Sequence, residues 1–312
     1  MIVLLLTIKV LFLGCVHVQT QAPHHETRPV LVHNLVPVQI EEPGEVRHDH
    51  QVFFEAYDRF CELAGTDDVR ATALEYLWND HETDDALALA RELESLVEDV
   101  AAGLKPFVSQ DRFEPIPIYL VLGCGVSDGY ALVADDDVWV FVDLVVLLHR
   151  GRDYWKQARF LLAHELGHAI HFSYQPDFAI ESRHGHEEEL WKTLLAEGIA
   201  THLSTQIYPL SDKEAFWGDI LDSSEHEKWV RFAESERNDF GRRIKDYLED
   251  PTTDPDVVAD LLYVHDFDDL TRKRAGYYYG TQIVREYEQR HGSVLEAAYE
   301  DLVPYLLSYF DG

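Results

Sequence analysis

The chain has 312 residues, 58 acidic and 26 basic, for a formal charge of −32 with histidine counted as neutral. That balance excludes nucleic acid as a partner, since a surface this negative is repelled by a phosphate backbone. The acids are scattered, as in Asp67-Asp68, Asp84-Asp85 and Asp268-Asp269, which describes a hydrated surface whose self-repulsion calls for salt more than a patch selecting cationic peptides.

Residues 1–14 are an apolar run leading into Leu11-Phe12-Leu13-Gly14-Cys15, too short for a stable membrane span. The run resembles a bacterial lipoprotein signal, which implies export and membrane anchoring through a lipidated Cys15. Lys9 lies inside the run instead of ahead of it, so the alternatives are an ordinary signal peptide or a misassigned start and a cytoplasmic chain. Residues 16–46 carry Pro23, Pro29, Pro37 and Pro43 with little helical periodicity and read as a flexible tether. That leaves 47–312 as one folded domain, with no period of about 20 to 50 residues to suggest a repeat array.

Apolar spacing predicts helices over 51–65, 68–78 and 83–104. Residues 116–122 and 138–142, apolar and rich in β-branched side chains, read as strands, with turn material at 123–129 and 135–137. Further helices are expected over 156–172, 188–207, 212–221, 226–249, 256–262, from about 276 through Tyr287, and over 293–309. The fold class is therefore α+β, mainly helical, with a small sheet. Besides Cys15 the chain has Cys61 and Cys124, free thiols or one disulfide, and neither sits in a CxxC metal pair.

The chemistry concentrates in His164-Glu165-Leu166-Gly167-His168. On a helix, residues four apart stand one above the other, so His164 and His168 can bind a single metal ion while Glu165, turned by about 100°, reaches toward an attacking water. Chance alone supplies such a pentapeptide in about one chain in ten of this composition, so its context matters. Phe160, Leu161, Leu162, Ala163, Leu166, Ala169 and Ile170 surround the helix with apolar side chains, and an interior helix leaves two histidines and a carboxylate in need of partners. One zinc ion satisfies all three.

A catalytic zinc takes three protein ligands and keeps a fourth position open. The spacing that would supply a third histidine downstream is broken, because His171 and Tyr174 stand where glycine and histidine are required. Glu197 is the better candidate: it continues the face of Leu190 and Leu194, and Gly198 beside it suggests that another backbone passes closely. His184 and His186, in the loop before this helix, rank below it, and His202 lies off the stripe. His171 shares the face of His164 as a ligand, a substrate contact or an ordinary helix-end histidine, and Thr201 stands one turn beyond Glu197.

HELGH followed by Glu197-Gly198-Ile199-Ala200 resembles the gluzincins, in which HExxH is joined by a glutamate, often within EGxA, as third ligand. The nearest likeness is to the predicted zinc-dependent proteases of the peptidase MA-like group, over roughly residues 115 to 300. Gly276-Tyr277-Tyr278-Tyr279-Gly280 is similar to the GYxxG of such proteins and places Tyr277 as donor to the oxyanion of a tetrahedral intermediate, with Tyr278 or Tyr279 as alternatives. The resemblance implies a zincin-like catalytic domain with the sheet beside the HExxH helix. It also implies an edge strand for extended substrate, for which 138–142 is the candidate, an ordinary core strand being the other reading.

The expectation is a zinc metallopeptidase: one Zn2+ per chain held by His164, His168 and Glu197, Glu165 as general base, Tyr277 as oxyanion donor, and a peptide or protein as substrate. A non-catalytic zinc-containing exported binding protein and a zinc hydrolase of another substrate are the alternatives.

Overall fold

A computed structural model of the chain describes residues 29–41, 49–63, 80–107, 114–125, 127–134, 137–179, 186–254, 256–262 and 269–311. In chain order the strands and helices begin with β1 (Val30–Asn34), α1 (Val36–Glu41), α2 (Gln51–Leu63), α3 (Asp80–Ala101) and β2 (Ile116–Val121). Then come β3 (Gly129–Ala134), β4 (Asp137–Asp143), α4 (Leu144–Arg150), α5 (Arg152–Trp155), α6 (Ala158–Tyr174) and α7 (His186–Ile207). The chain continues through α8 (Asp212–Trp217), α9 (Ser223–Glu249), α10 (Val257–Leu262), α11 (Ala275–His291) and α12 (Tyr299–Asp311). The lipoprotein-like segment with Cys15 and the helix expected over 68–78 lie outside the described residues.

The protein is mainly helical with one small sheet of order β1-β2-β4-β3. β1, β2 and β4 run parallel and β3 returns antiparallel to β4. Side chains alternate across it with period two, as a strand requires. Ile116, Ile118, Leu120, Val140 and Val142 enter the main core with α3 and α6, while Tyr119, Val121, Trp139 and Phe141 face the smaller core beneath α2. There Phe53 stacks on Tyr119 with ring centroids 3.8 Å apart.

Two expectations change. Residues 30–41, inside the stretch read as tether, form β1 and α1, because Val30 and Val36 are buried and β1 completes the ladder of β2. The strand 138–142 is interior, not an edge: β4 pairs on both sides, and the edge beside α6 is β3. β3 carries little strand signal in the sequence, because Gly129, Ala131 and Ala134 dilute the β-branched content on which strand assignment rests.

Helix boundaries differ from expectation where caps, rather than apolar periodicity, start a helix. α9 begins at Ser223 because Asp222 and Glu225 form a capping box. α12 begins at Tyr299, later than the expected 293, with the Asp301 carboxylate accepting the Ala298 N–H. The two cysteines are joined: a Cys61–Cys124 disulfide ties α2 to the segment after β2.

Candidate metal centre

α6 owes its position to its composition. It is buried around nearly its whole circumference, from Phe160, Leu162 and Ala163 through Leu166, Ala169 and Ile170, so it lies between the sheet and α7. Gly167, inside the HELGH run, faces the backbone of Ala200: a Cβ there would stand 2.7 Å from the Ala200 carbonyl oxygen. That close approach brings α7 within reach of the two histidines.

The imidazoles and Glu197 meet at one point. Nε2 of His164 lies 3.1 Å from Oε2 of Glu197, Nε2 of His168 lies 3.1 Å from Nε2 of His164, and the third side of the triangle, His168 to Glu197, is 3.4 Å. Three ligands of a tetrahedral zinc with bonds of about 2.0–2.1 Å stand about 3.3–3.4 Å from one another. Among the described residues this is the one group of three histidine, cysteine or acidic side chains whose ligand atoms converge in this way. Three lone-pair-bearing atoms this close repel each other unless a cation or shared protons lie among them, so the donor set fits a metal ion.

Burial and the contacts within the triad shift its ionisable groups. Burial lowers the pKa of His164 below the ordinary histidine value, against the pull of Glu197, which favours the neutral ring a metal needs. Burial raises Glu197, but His168 and His164 outweigh it and hold the carboxyl well below its usual range. Glu165 reaches the Ala131 N–H of β3: burial first, with Glu197 and Asp128 adding to it, pushes its carboxyl up to about 8, while His168 and the Ala131 N–H work the other way. At that value the carboxyl is mostly protonated at neutral pH, and a cation in the triad would lower it toward the range in which it takes a proton from water.

The three consecutive tyrosines separate cleanly. Tyr277 faces the centre, its ring centroid 5.9 Å from that of His164 and its hydroxyl turned to Glu197 and to the Arg274 guanidinium. Tyr278 donates to Glu234 at 3.0 Å, and Tyr279 donates to the Ala233 carbonyl at 2.7 Å within the core. Helical geometry turns successive side chains by about 100°, so only one of the three can point at the triad.

Among the described residues no other histidine joins the triad. His202 pairs with Glu288 at 2.7 Å and with Gln206 at 2.9 Å, linking α7 to α11. His171 is the helix-end histidine expected, in the last turn of α6, and it is fully buried against Phe172 and Phe178, where burial together with His168 lowers its pKa to about 3. Thr201 is buried with its hydroxyl unpaired, so no bond from it supports Glu197. His184 and the side chain of His186 lie outside the described residues.

Two neighbours of the site carry no motif that would announce them. Ala131 offers its backbone N–H to Glu165 from β3. Arg274 lies over the Tyr277 ring with Cζ 3.8 Å from the centroid and 5.2 Å from that of Trp217, and it adopts the left-handed conformation at φ 56°. Its only signal in the sequence is a base three residues ahead of Tyr277 in an acid-rich chain. Compared with protein-family models, curated proteins and solved structures, the chain matches none.

Proposed function

We propose that the chain is a zinc-dependent peptidase of zincin-like architecture. The observation that carries the reading is the joint placement of the His164, His168 and Glu197 triangle with the buried Glu165 and the Tyr277 phenol beside it. His164, His168 and Glu197 would hold a zinc ion, which would supply Lewis acidity and make water a competent nucleophile near neutral pH.

The chain's own groups supply the rest. Glu165 Oε accepts the proton of the attacking water and delivers it to the leaving amine. The Tyr277 hydroxyl donates to the oxyanion that develops as the carbonyl is attacked. β3, an edge strand with the Ala131 N–H directed at Glu165, offers a backbone rail for an extended peptide, which favours a peptide over other hydrolysable substrates. The Cys61–Cys124 disulfide supports an oxidising compartment and hence export.

The test is zinc analysis and peptide-library cleavage on the wild type and on Glu165→Gln. The expected result is about one zinc per chain in both proteins and hydrolysis only in the first. Equal cleavage by Glu165→Gln overturns the role of Glu165, and zinc without cleavage in the wild type makes the protein a non-catalytic binder.

A further inference from the structure

Arg274 is set apart from most of the described arginines by having no carboxylate partner among the described residues and by lying beside the triad. Among the described residues, Arg152, Arg159, Arg231, Arg242, Arg243, Arg272, Arg285 and Arg290 each have a carboxylate within ion-pair distance. Arg274 is more enclosed than most of them, yet it forms no ion pair within 4.0 Å among the described residues; it lies over the faces of Tyr277 and Trp217 and hydrogen-bonds the Tyr277 hydroxyl, with Glu197 and Asp128 acting on it from farther off. In a protein carrying 58 acids, a guanidinium beside the triad that pairs with none of the described carboxylates and spends a donor on the Tyr277 hydroxyl keeps the rest of its hydrogen-bonding fork available.

Its backbone points the same way. Arg274 is the one non-glycine residue with positive φ among the described residues, a conformation that costs a β-carbon-bearing residue on the order of 1 kcal/mol. That geometry starts α11 and folds the side chain back over Tyr277. Stacking on an aromatic face holds a guanidinium in one plane and lowers the entropy lost when it engages a planar anion.

We propose that Arg274 anchors the C-terminal carboxylate of the substrate, so that the site removes short fragments from peptide C-termini. This rests on the peptidase reading above and names the substrate class for the same site. Arg274 Cζ lies within about 10 Å of the His164 ring through the shared Tyr277 ring. A free carboxylate held there sets the scissile bond roughly one to three residues upstream, at about 3.3–3.6 Å per extended residue. The bidentate pair selects a terminal carboxylate over its neutral amide. In the reaction the C–N bond upstream of the anchored fragment breaks, water's hydroxyl goes to the new acyl terminus and its proton to the departing amine, so no further reactant is needed.

The experiment uses the full chain loaded with zinc and pairs of peptides identical except for a C-terminal carboxylate or carboxamide. The expected result is kcat/KM at least about tenfold higher for the acid, with C-terminal products of one to three residues identified by mass spectrometry. Arg274→Gln should bring the acid down to the level of its amide; Arg274→Asn, a residue tolerated at positive φ, repeats the test if the glutamine variant misfolds. Equal kcat/KM for acid and amide, or internal cleavage of both, overturns the proposal while leaving the peptidase reading in place. If neither peptide is cleaved, the peptidase reading fails by itself, and calorimetric binding of the two peptides decides the anchor. Tighter binding of the acid that Arg274→Gln abolishes upholds it, and indifference to the terminal group overturns it.

Discussion

The backbones of Gly198 and Gly280 lie against each other where α7 crosses α11. A Cβ on Gly198 would stand 2.6 Å from the Gly280 Cα, and one on Gly280 would overlap the Leu194 carbonyl oxygen. Gly198 follows Glu197 and Gly280 lies one turn beyond Tyr277, so this crossing joins the helix that carries the third ligand to the helix that carries the phenol. With the contact of Gly167 and Ala200, the small residues of the HELGH, EGIA and GYYYG runs are the points of close approach among three helices.

Gly280→Ala should therefore push α7 and α11 apart. Overpacking of this kind costs about 1–3 kcal/mol or more, and the displaced Glu197 should also weaken zinc binding. Denaturant titration together with zinc affinity checks it; a variant of native stability and affinity would show that the crossing is slack.

The three tyrosines should respond differently to loss of the hydroxyl. Tyr277→Phe should retain zinc and lower kcat by about 10²-fold, in the range for removal of one oxyanion donor. Tyr279→Phe should cost about 1–3 kcal/mol of stability, because the Ala233 carbonyl is left unpaired in the core, and leave turnover in place. Tyr278→Phe loses a half-exposed bond to Glu234 and should change stability by less than about 1 kcal/mol. Peptide hydrolysis and thermal melting on the three variants separate the roles.

Asp143 makes stability depend on pH. Its carboxylate is fully buried at the end of β4, where it accepts N–H bonds from Gly123, Gly125 and Val145, and burial pushes its pKa up to about 6 despite them. Between about pH 4 and 6 the folded chain retains a proton that the unfolded chain has released, so this group's contribution falls as pH rises through that window and is level above it. The size is of order 2–3 kcal/mol. Urea titrations of wild type and Asp143→Asn should show the difference between them, wild type minus variant, decreasing by that order from pH 4 to 6.5. A constant difference would count against the shift.

The Cys61–Cys124 bridge spans 63 positions of sequence. Reduction should cost roughly 2–4 kcal/mol, chiefly by releasing conformational freedom in the unfolded chain. Denaturation midpoints with and without reductant measure this, with Cys61→Ser/Cys124→Ser as the variant that no longer responds.

Much of the site is legible in the amino-acid sequence, and for one reason: helical spacing is local. Four residues set His164 over His168, and three or four set Leu190, Leu194 and Glu197 on one face, whatever surrounds them. Gly198 foretells a close backbone because glycine inside a helix is unfavourable without such a reason. The apolar girdle of α6 likewise foretells its burial.

What depends on the meeting of distant segments needs the tertiary structure. Which of Tyr277, Tyr278 and Tyr279 faces the His164, His168 and Glu197 triad follows from the rotation of α11 about its axis, set by the contact of Gly280 with Gly198. That β4 is interior and β3 the edge follows from pairing order, which alternation along one strand does not encode. The joining of Cys61 to Cys124 and the enclosure of Arg274 beside the centre belong to the same class. Periodicity along the chain determined which residues stand together on an element; packing between elements decided which of them meet.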